Sequence, residues 1–210
     1  MDPDGFPCFL DVEATGFGPD SYPIEIAWSD EAGEIHRCLI DPTPVPGWTD
    51  WSTDAEKVHG IDRERLKRNG WPPDYVASLL TQDLTGKTVY TDAPDYDSRW
   101  VTRLFAAIGQ PLPFRFDHID ELLLSILRSP DGPVWQAMVR IDHLKREVAA
   151  VSTGKHSAGY DVGYLLQLWR RANGDAVKMN HGVGPLPDMS ATGTFLRLTL
   201  PLGTAARRSE

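Results

Sequence analysis

Apolar and polar positions divide the chain into short strands first and helices later. FPCFLDV (6–12) is a mostly apolar run of strand length, and PIEIAWS (23–29) alternates with period two. GEIHRCLIDP (33–42) predicts a third strand, with Asp30-Glu31-Ala32-Gly33 as the hairpin connection. Short links between these three runs predict an antiparallel meander. DPTPVPGW (41–48) is too proline-rich to continue a sheet. Beyond it, STDAEKVHG (52–60) and DRERLKRNG (62–70) each open on capping side chains and close on glycine. PPDYVASLLTQDL (72–84) begins with prolines and spaces its apolar residues at helical intervals.

KTVYT (87–91) and PFRFDHI (113–119) predict two more strands, and helices are predicted over 97–109, 120–129, 133–151 and 160–174. The order β-β-β-α-α-α-β-α-β-α-α-α implies an α/β protein with a mixed sheet flanked by helices. Past about residue 175 the composition turns to Gly, Pro, Asn and Ser, where TFLRLTL (194–200) predicts one strand, added to a sheet edge or to a partner. The expected organisation is thus one domain over 1–175 and an extension over 176–210.

A length of 210 residues suits one domain with a real core, and 41% hydrophobic with 24% charged residues is ordinary for a globular chain. No window approaches the roughly 18 apolar residues of a membrane span. The acidic start, MDPDGFPCFL, lacks the pattern of a secretory signal. Cys8 and Cys38 have no CxxC spacing, so the expectation is a reduced, cytoplasmic protein with both as small core residues and no membrane partner. Charge changes the picture more: 21 basic against 30 acidic side chains give −9. That argues against a non-specific nucleic-acid binder with a basic face. It leaves room for an enzyme that meets phosphates through bound divalent metal.

In a strand, residues two apart share a face, so Asp11 and Glu13 project together, roughly 6–7 Å apart along the strand. Unpaired acids in an apolar strand are costly, and each raises the pKa of the other unless a cation lies between them. Mg²⁺ or Mn²⁺, with their preference for hard oxygen ligands, suit that place. Asp62 and Glu64 repeat the spacing in a polar helical stretch, so the pair needs partners from elsewhere. Asp97, in TDAPDYDSRW, follows a short strand and opens a helix, where it is either an N-cap or a site residue. His156 precedes Asp161 by five residues in KHSAGYDVGYLLQLW, and Asp161 can equally serve the positive helix N-terminus. In a continuous helix those five residues span about 140° of rotation, so cooperation requires His156 on a turn or in a first turn.

FLDVEATG, VHGID, VYTDAPDYD and HSAGYD resemble, in order, the successive motifs of the DEDDh 3′-to-5′ exonucleases. These form part of the DnaQ-like branch of the ribonuclease H-like superfamily, and the resemblance covers about residues 6–172. It implies a central five-stranded mixed sheet with three antiparallel strands first. It implies two divalent ions, Mg²⁺ or Mn²⁺, held by Asp11, Glu13, Asp97 and Asp161, with Asp11 bridging and His156 as general base. Thr15 and Gly16 match the stretch whose backbone approaches the terminal nucleotide, and His59 matches a segment beside the substrate's end. The implied reaction releases nucleoside 5′-monophosphates from the 3′ ends of single-stranded DNA or RNA, with the sugar left open.

Two departures stand out. Relatives commonly carry Asn–Ala–x–Phe–Asp, often after a histidine, where this chain reads Asp92-Ala93-Pro94-Asp95-Tyr96-Asp97, so Ala93 lacks the amide. Ala14 stands where many relatives carry threonine. Arg63, Arg65, Lys67, Arg68, Arg99, Arg103 and Lys155 are candidate phosphate contacts or merely a solvated face. Trp48, Trp51, Trp71 and Trp100 are candidate base-stacking or core residues. The alternative function is a non-catalytic nucleic-acid-binding or assembly module on the same fold, which a missing acid would favour, and none is missing. A homodimer is left open.

Overall fold

The computed structural model describes residues 5–151 and 157–174. His156, Lys155, the extension 176–210 and the strand expected over 194–200 lie outside the described residues. The elements are β1 (Cys8–Ala14), β2 (Pro23–Ser29), β3 (Ile35–Leu39), α1 (Thr53–His59), α2 (Arg63–Asn69), α3 (Pro73–Leu84), β4 (Thr88–Thr91), α4 (Pro94–Ala107), β5 (Arg115–His118), α5 (Ile119–Leu127), α6 (Val134–Val151) and α7 (Ala158–Ala172). Their order is the one the sequence predicts.

The five strands form one sheet in the order β3-β2-β1-β4-β5. β1 pairs antiparallel with β2 and β2 with β3, whereas β4 runs parallel to both β1 and β5. This is the mixed, ribonuclease H-like sheet with its antiparallel strands first. β2 is buried at every position, as an interior strand covered on both faces must be.

Period-two alternation sorts the side chains of β1 and β2 onto two cores. Cys8, Leu10, Val12, Ile24, Ile26 and Trp28 pack with Val76, Leu80, Trp100, Val101 and Leu104 from α3 and α4. Phe9 and Ala27 point the other way, onto Leu122 and Leu123 of α5, Ile141 of α6, and Val162, Leu165 and Leu166 of α7. Asp11, Glu13 and Glu25 share that second face by strand parity.

Cys8 and Cys38 are free and buried, and desolvation pushes their thiols up to about 11 and about 12. Trp48 and Trp100 are core residues, Trp48 stacking on the buried Tyr22 with centroids 5.0 Å apart. Gly70 ends α2 where Ile40 bridges to Trp71, and a Cβ there would lie 2.4 Å from the Leu66 carbonyl oxygen. Among the described residues no helix is long and apolar enough to cross a membrane.

Candidate active site

In an open sheet of this kind, ligands bind beyond the carboxyl ends of the strands, where the order of strand addition reverses. Here that point lies between β1 and β4. Phe9 is level with Tyr90 in the parallel pair, and continuing this register sets Asp11 level with Asp92. On the other side of β1 the ladder with β2 becomes irregular between Glu13 and Ala14. Such irregularities re-aim side chains at the ends of pairing.

Asp97 reaches this place from α4. The helix begins on Pro94, three residues before the predicted start, because proline's fixed φ suits a first helical position. Its N-cap is Ala93, which makes no side-chain capping bond, so Asp97 is not the cap. Asp97 is 2% exposed, and its carboxylate accepts a hydrogen bond from the Thr91 hydroxyl at the end of β4. Asp161 arrives from the first turn of α7, its N–H donating to the Ser157 carbonyl at 3.1 Å. Ser157 makes no side-chain cap either; Glu25 Oε2 accepts the Ala158 N–H at 3.0 Å instead.

Two carboxylate groups result among the described residues. Asp11, Glu13 and Asp161 each offer an oxygen within 4.8 Å of the others, and Asp11, Asp92 and Asp97 do the same. Asp11 belongs to both. Asp92 is the residue that sequence reasoning passed over, since it falls at a position where the motif that this stretch resembles often has histidine. The β1–β4 register is the signal that finds it.

Burial dominates the electrostatics. Desolvation, then Asp97, Asp161, Glu13 and Asp92, hold the Asp11 carboxyl well above the usual carboxylate range. Desolvation likewise pushes Asp97 up to about 8, against the Thr91 hydrogen bond and with the charge of Asp92. Glu13 rises to about 7 through burial, Glu25 and Asp161. Acids so crowded ionise together only beside positive charge, and the donors are all carboxylate oxygens. The two groups therefore fit hard divalent cations.

The other expected residues fall into place unevenly. Thr15 is buried, its hydroxyl accepting the Tyr22 N–H at 3.2 Å and donating to Asp50 at 3.3 Å. Its backbone is engaged as well, by Tyr22 and by Ser52. A Cβ on Gly16 would come within 3.2 Å of the Ser52 Cβ, closer than ordinary van der Waals contact. His59 belongs to neither carboxylate group; its Nδ1 accepts the Ile61 N–H at 3.1 Å, and its buried Nε2 has no hydrogen-bond partner among the described residues.

Tyr96, next to Asp97 in the chain, is met edge-on at 5.2 Å by Phe17, which is 71% exposed. The Arg99 guanidinium lies 5.3 Å from the Tyr96 centroid and donates to the Phe17 carbonyl at 3.1 Å, while Arg103 donates to the Pro19 carbonyl at 2.9 Å. Arg63 is likewise tied to the Thr49 carbonyl and Lys67 to Glu64.

No protein-family model matches the sequence, and no curated protein does. Solved structures do match. E. coli Exonuclease I in complex with a dA16 oligonucleotide aligns with a TM-score of 0.57 and 15% identity, over 83% of this chain and 43% of that one. Its zinc-bound complex with single-stranded DNA aligns at 0.55 and 15%, over 81% and 41%. The Exonuclease I of Methylocaldum szegediense aligns at 0.54 and 17%, over 78% and 40%. The chain thus spans less than half the length of these proteins. What it shares with them is the fold: a mixed, ribonuclease H-like sheet of order β3-β2-β1-β4-β5 with helices on both faces.

Proposed function

We propose that the chain is a metal-dependent 3′-to-5′ exonuclease that shortens single-stranded DNA. The observation that carries this reading is Asp11, shared by two carboxylate groups at the switch point of the sheet. The likeness in fold to exonucleases solved with dA16 and dT13 oligonucleotides supports it.

Asp11, Glu13 and Asp161 would hold one Mg²⁺ or Mn²⁺ ion, and Asp11, Asp97 and Asp92 a second. What such ions supply when bound is Lewis-acid stabilisation of charge on the scissile phosphodiester. The chain supplies the rest. His156 takes a proton from the attacking water at a ring nitrogen, a role for which imidazole is suited near neutral pH. The bond to the 3′ oxygen breaks, that oxygen leaves as a hydroxyl, and a nucleoside 5′-monophosphate is released. Phe17 and Tyr96 offer ring faces and edges to the terminal bases. With 21 basic against 30 acidic side chains, and with Arg63, Arg99 and Arg103 each giving an N–H to a carbonyl of their own chain, contact should extend to only a few nucleotides.

The test is to incubate the protein with Mn²⁺ and 5′-labelled single-stranded DNA and RNA of equal sequence. A ladder shortening from the 3′ end of the DNA is expected, absent with chelator, in Asp11→Asn and in His156→Ala. Intact DNA and RNA under all conditions would overturn the nuclease reading. Degradation of RNA alone would overturn the choice of sugar.

A further inference from the structure

We propose that Glu25 is a positioning residue of this site: its carboxylate caps α7 from inside the sheet and thereby sets Asp161 against Asp11 and Glu13. The inference rests on the nuclease reading above.

Glu25 is a poor choice for stability alone. It sits in an interior strand at 1% exposure, and its register partner across the β1–β2 pair is Glu13. Like charges directly opposite one another destabilise a sheet, and a buried carboxylate carries a desolvation cost that an apolar residue avoids. Burial accordingly raises its pKa, against the Arg37 charge and the Ala158 hydrogen bond. Nor is Glu25 a member of either carboxylate group. Its effect on a bound ion therefore has to pass through another residue.

That residue is Asp161. The first N–H groups of a helix have no partner within the helix and need one from outside. At α7 the residue in the capping position, Ser157, supplies none from its side chain, and Glu25 Oε2 takes the Ala158 N–H at 3.0 Å from a position 133 residues earlier. The other oxygen, Oε1, lies 3.6 Å from Arg37 Nε on β3, which turns the carboxylate toward the helix. Three residues separate Ala158 from Asp161, less than one helical turn, so the capped end and the ligand move together. One carboxylate thus ties β2, β3 and α7 into a frame around Glu13 and Asp161.

Glu25→Met, close in shape and apolar, removes the acceptor without leaving a cavity, and Glu25→Gln restores an acceptor oxygen without the charge. Mn²⁺ affinity is measured by calorimetry on the full chain, with exchange of the Ala158 amide as a second readout. Glu25→Met should lower Mn²⁺ affinity by about 10–100-fold, as loss of a residue supporting a metal ligand does, and speed Ala158 exchange. Glu25→Gln should recover most of the affinity. In an Asp161→Asn background Glu25→Met should cost nothing further, because the two act in series. Wild-type affinity in Glu25→Met, no recovery in Glu25→Gln, or a full additional loss in the Asp161→Asn background each overturns the role of Glu25 and leaves the nuclease reading standing. A wild-type protein that neither binds Mn²⁺ nor cleaves DNA overturns both.

Discussion

The hydroxyl of Thr91, at the end of β4, donates to the carboxylate of Asp97, in the first turn of α4. One oxygen of Asp97 is thereby fixed, and the carboxylate is held in the group with Asp11 and Asp92. Thr91→Val keeps the shape and removes the donor. Mn²⁺ affinity should fall by about tenfold, the usual size for a hydrogen bond that orients a ligand, and Thr91→Ser should retain it. Calorimetric titration of both variants checks this, and equal affinities would count against it.

Stability should depend on pH in the opposite sense from that of a salt-bridged carboxylate. Glu13 at about 7 and Asp97 at about 8 bind protons more tightly folded than unfolded, where carboxyls titrate near 4. Their contribution is complete below about pH 4 and is lost as pH rises through about 7 and 8. With chelator present, the melting temperature should therefore fall between pH 5 and pH 8 by about a few degrees. Saturating Mn²⁺ should abolish the fall, and a flat metal-free profile would contradict the crowding of these acids.

Neutralising the acids should separate activity from stability. Asp11→Asn, touching both groups, should reduce cleavage of labelled single-stranded DNA by about a thousandfold or more, since several kcal/mol of charge stabilisation go with it. Asp92→Asn, at an exposed member of one group, should reduce it less. Metal-free Asp97→Asn should melt above wild type at pH 8, because it removes a buried like charge. A melting point below wild type in that variant would show that Asp97 is structural.

Phe17 is too exposed to matter for the core. Phe17→Ala should leave the melting temperature nearly unchanged and raise KM for short single-stranded DNA by about 5–100-fold, the range of one lost base stack. Steady-state kinetics on a short oligonucleotide decides it, and an unchanged KM removes the aromatic from the substrate path.

Gly70 tests the fold away from the site. Its φ of −75° suits any residue, but a Cβ would lie 2.4 Å from Leu66 O and 2.5 Å from Asp41 N. Both are backbone atoms that cannot swing aside. Gly70→Ala should cost about 2–3 kcal/mol in denaturant unfolding, whereas Gly86→Ala, with no atom near its Cβ, carries only the strain of φ 77°.

Most of the fold was legible in the sequence because its pattern is local: period two around Asp11 and Glu25, helical period around Leu80 and Leu165. Several boundaries shifted by two or three residues, and at one of them proline is the reason, since Pro94 at a first helical position starts α4 ahead of Asp97. Of the site, the Asp11–Glu13 pair follows from strand geometry alone. Its meeting with Asp92 does not, because that depends on which strand lies beside β1 and in what register. The inward turn of the Thr15 hydroxyl was equally out of reach, being set by Tyr22 and by Asp50, distant in sequence. Charge alone left Arg99 and Arg103 open between phosphate contacts and a solvated face, and the structure adds that each gives an N–H to a carbonyl of the 17–19 loop.

Those two arginines stand one turn apart on α4, the helix whose first turn carries Asp97. They bolt the loop bearing Phe17 to the helix bearing Asp97. On the proposed reading, a base seated on the Phe17 ring would load that helix through two guanidiniums, and seating of the strand end would be coupled to alignment of the acids.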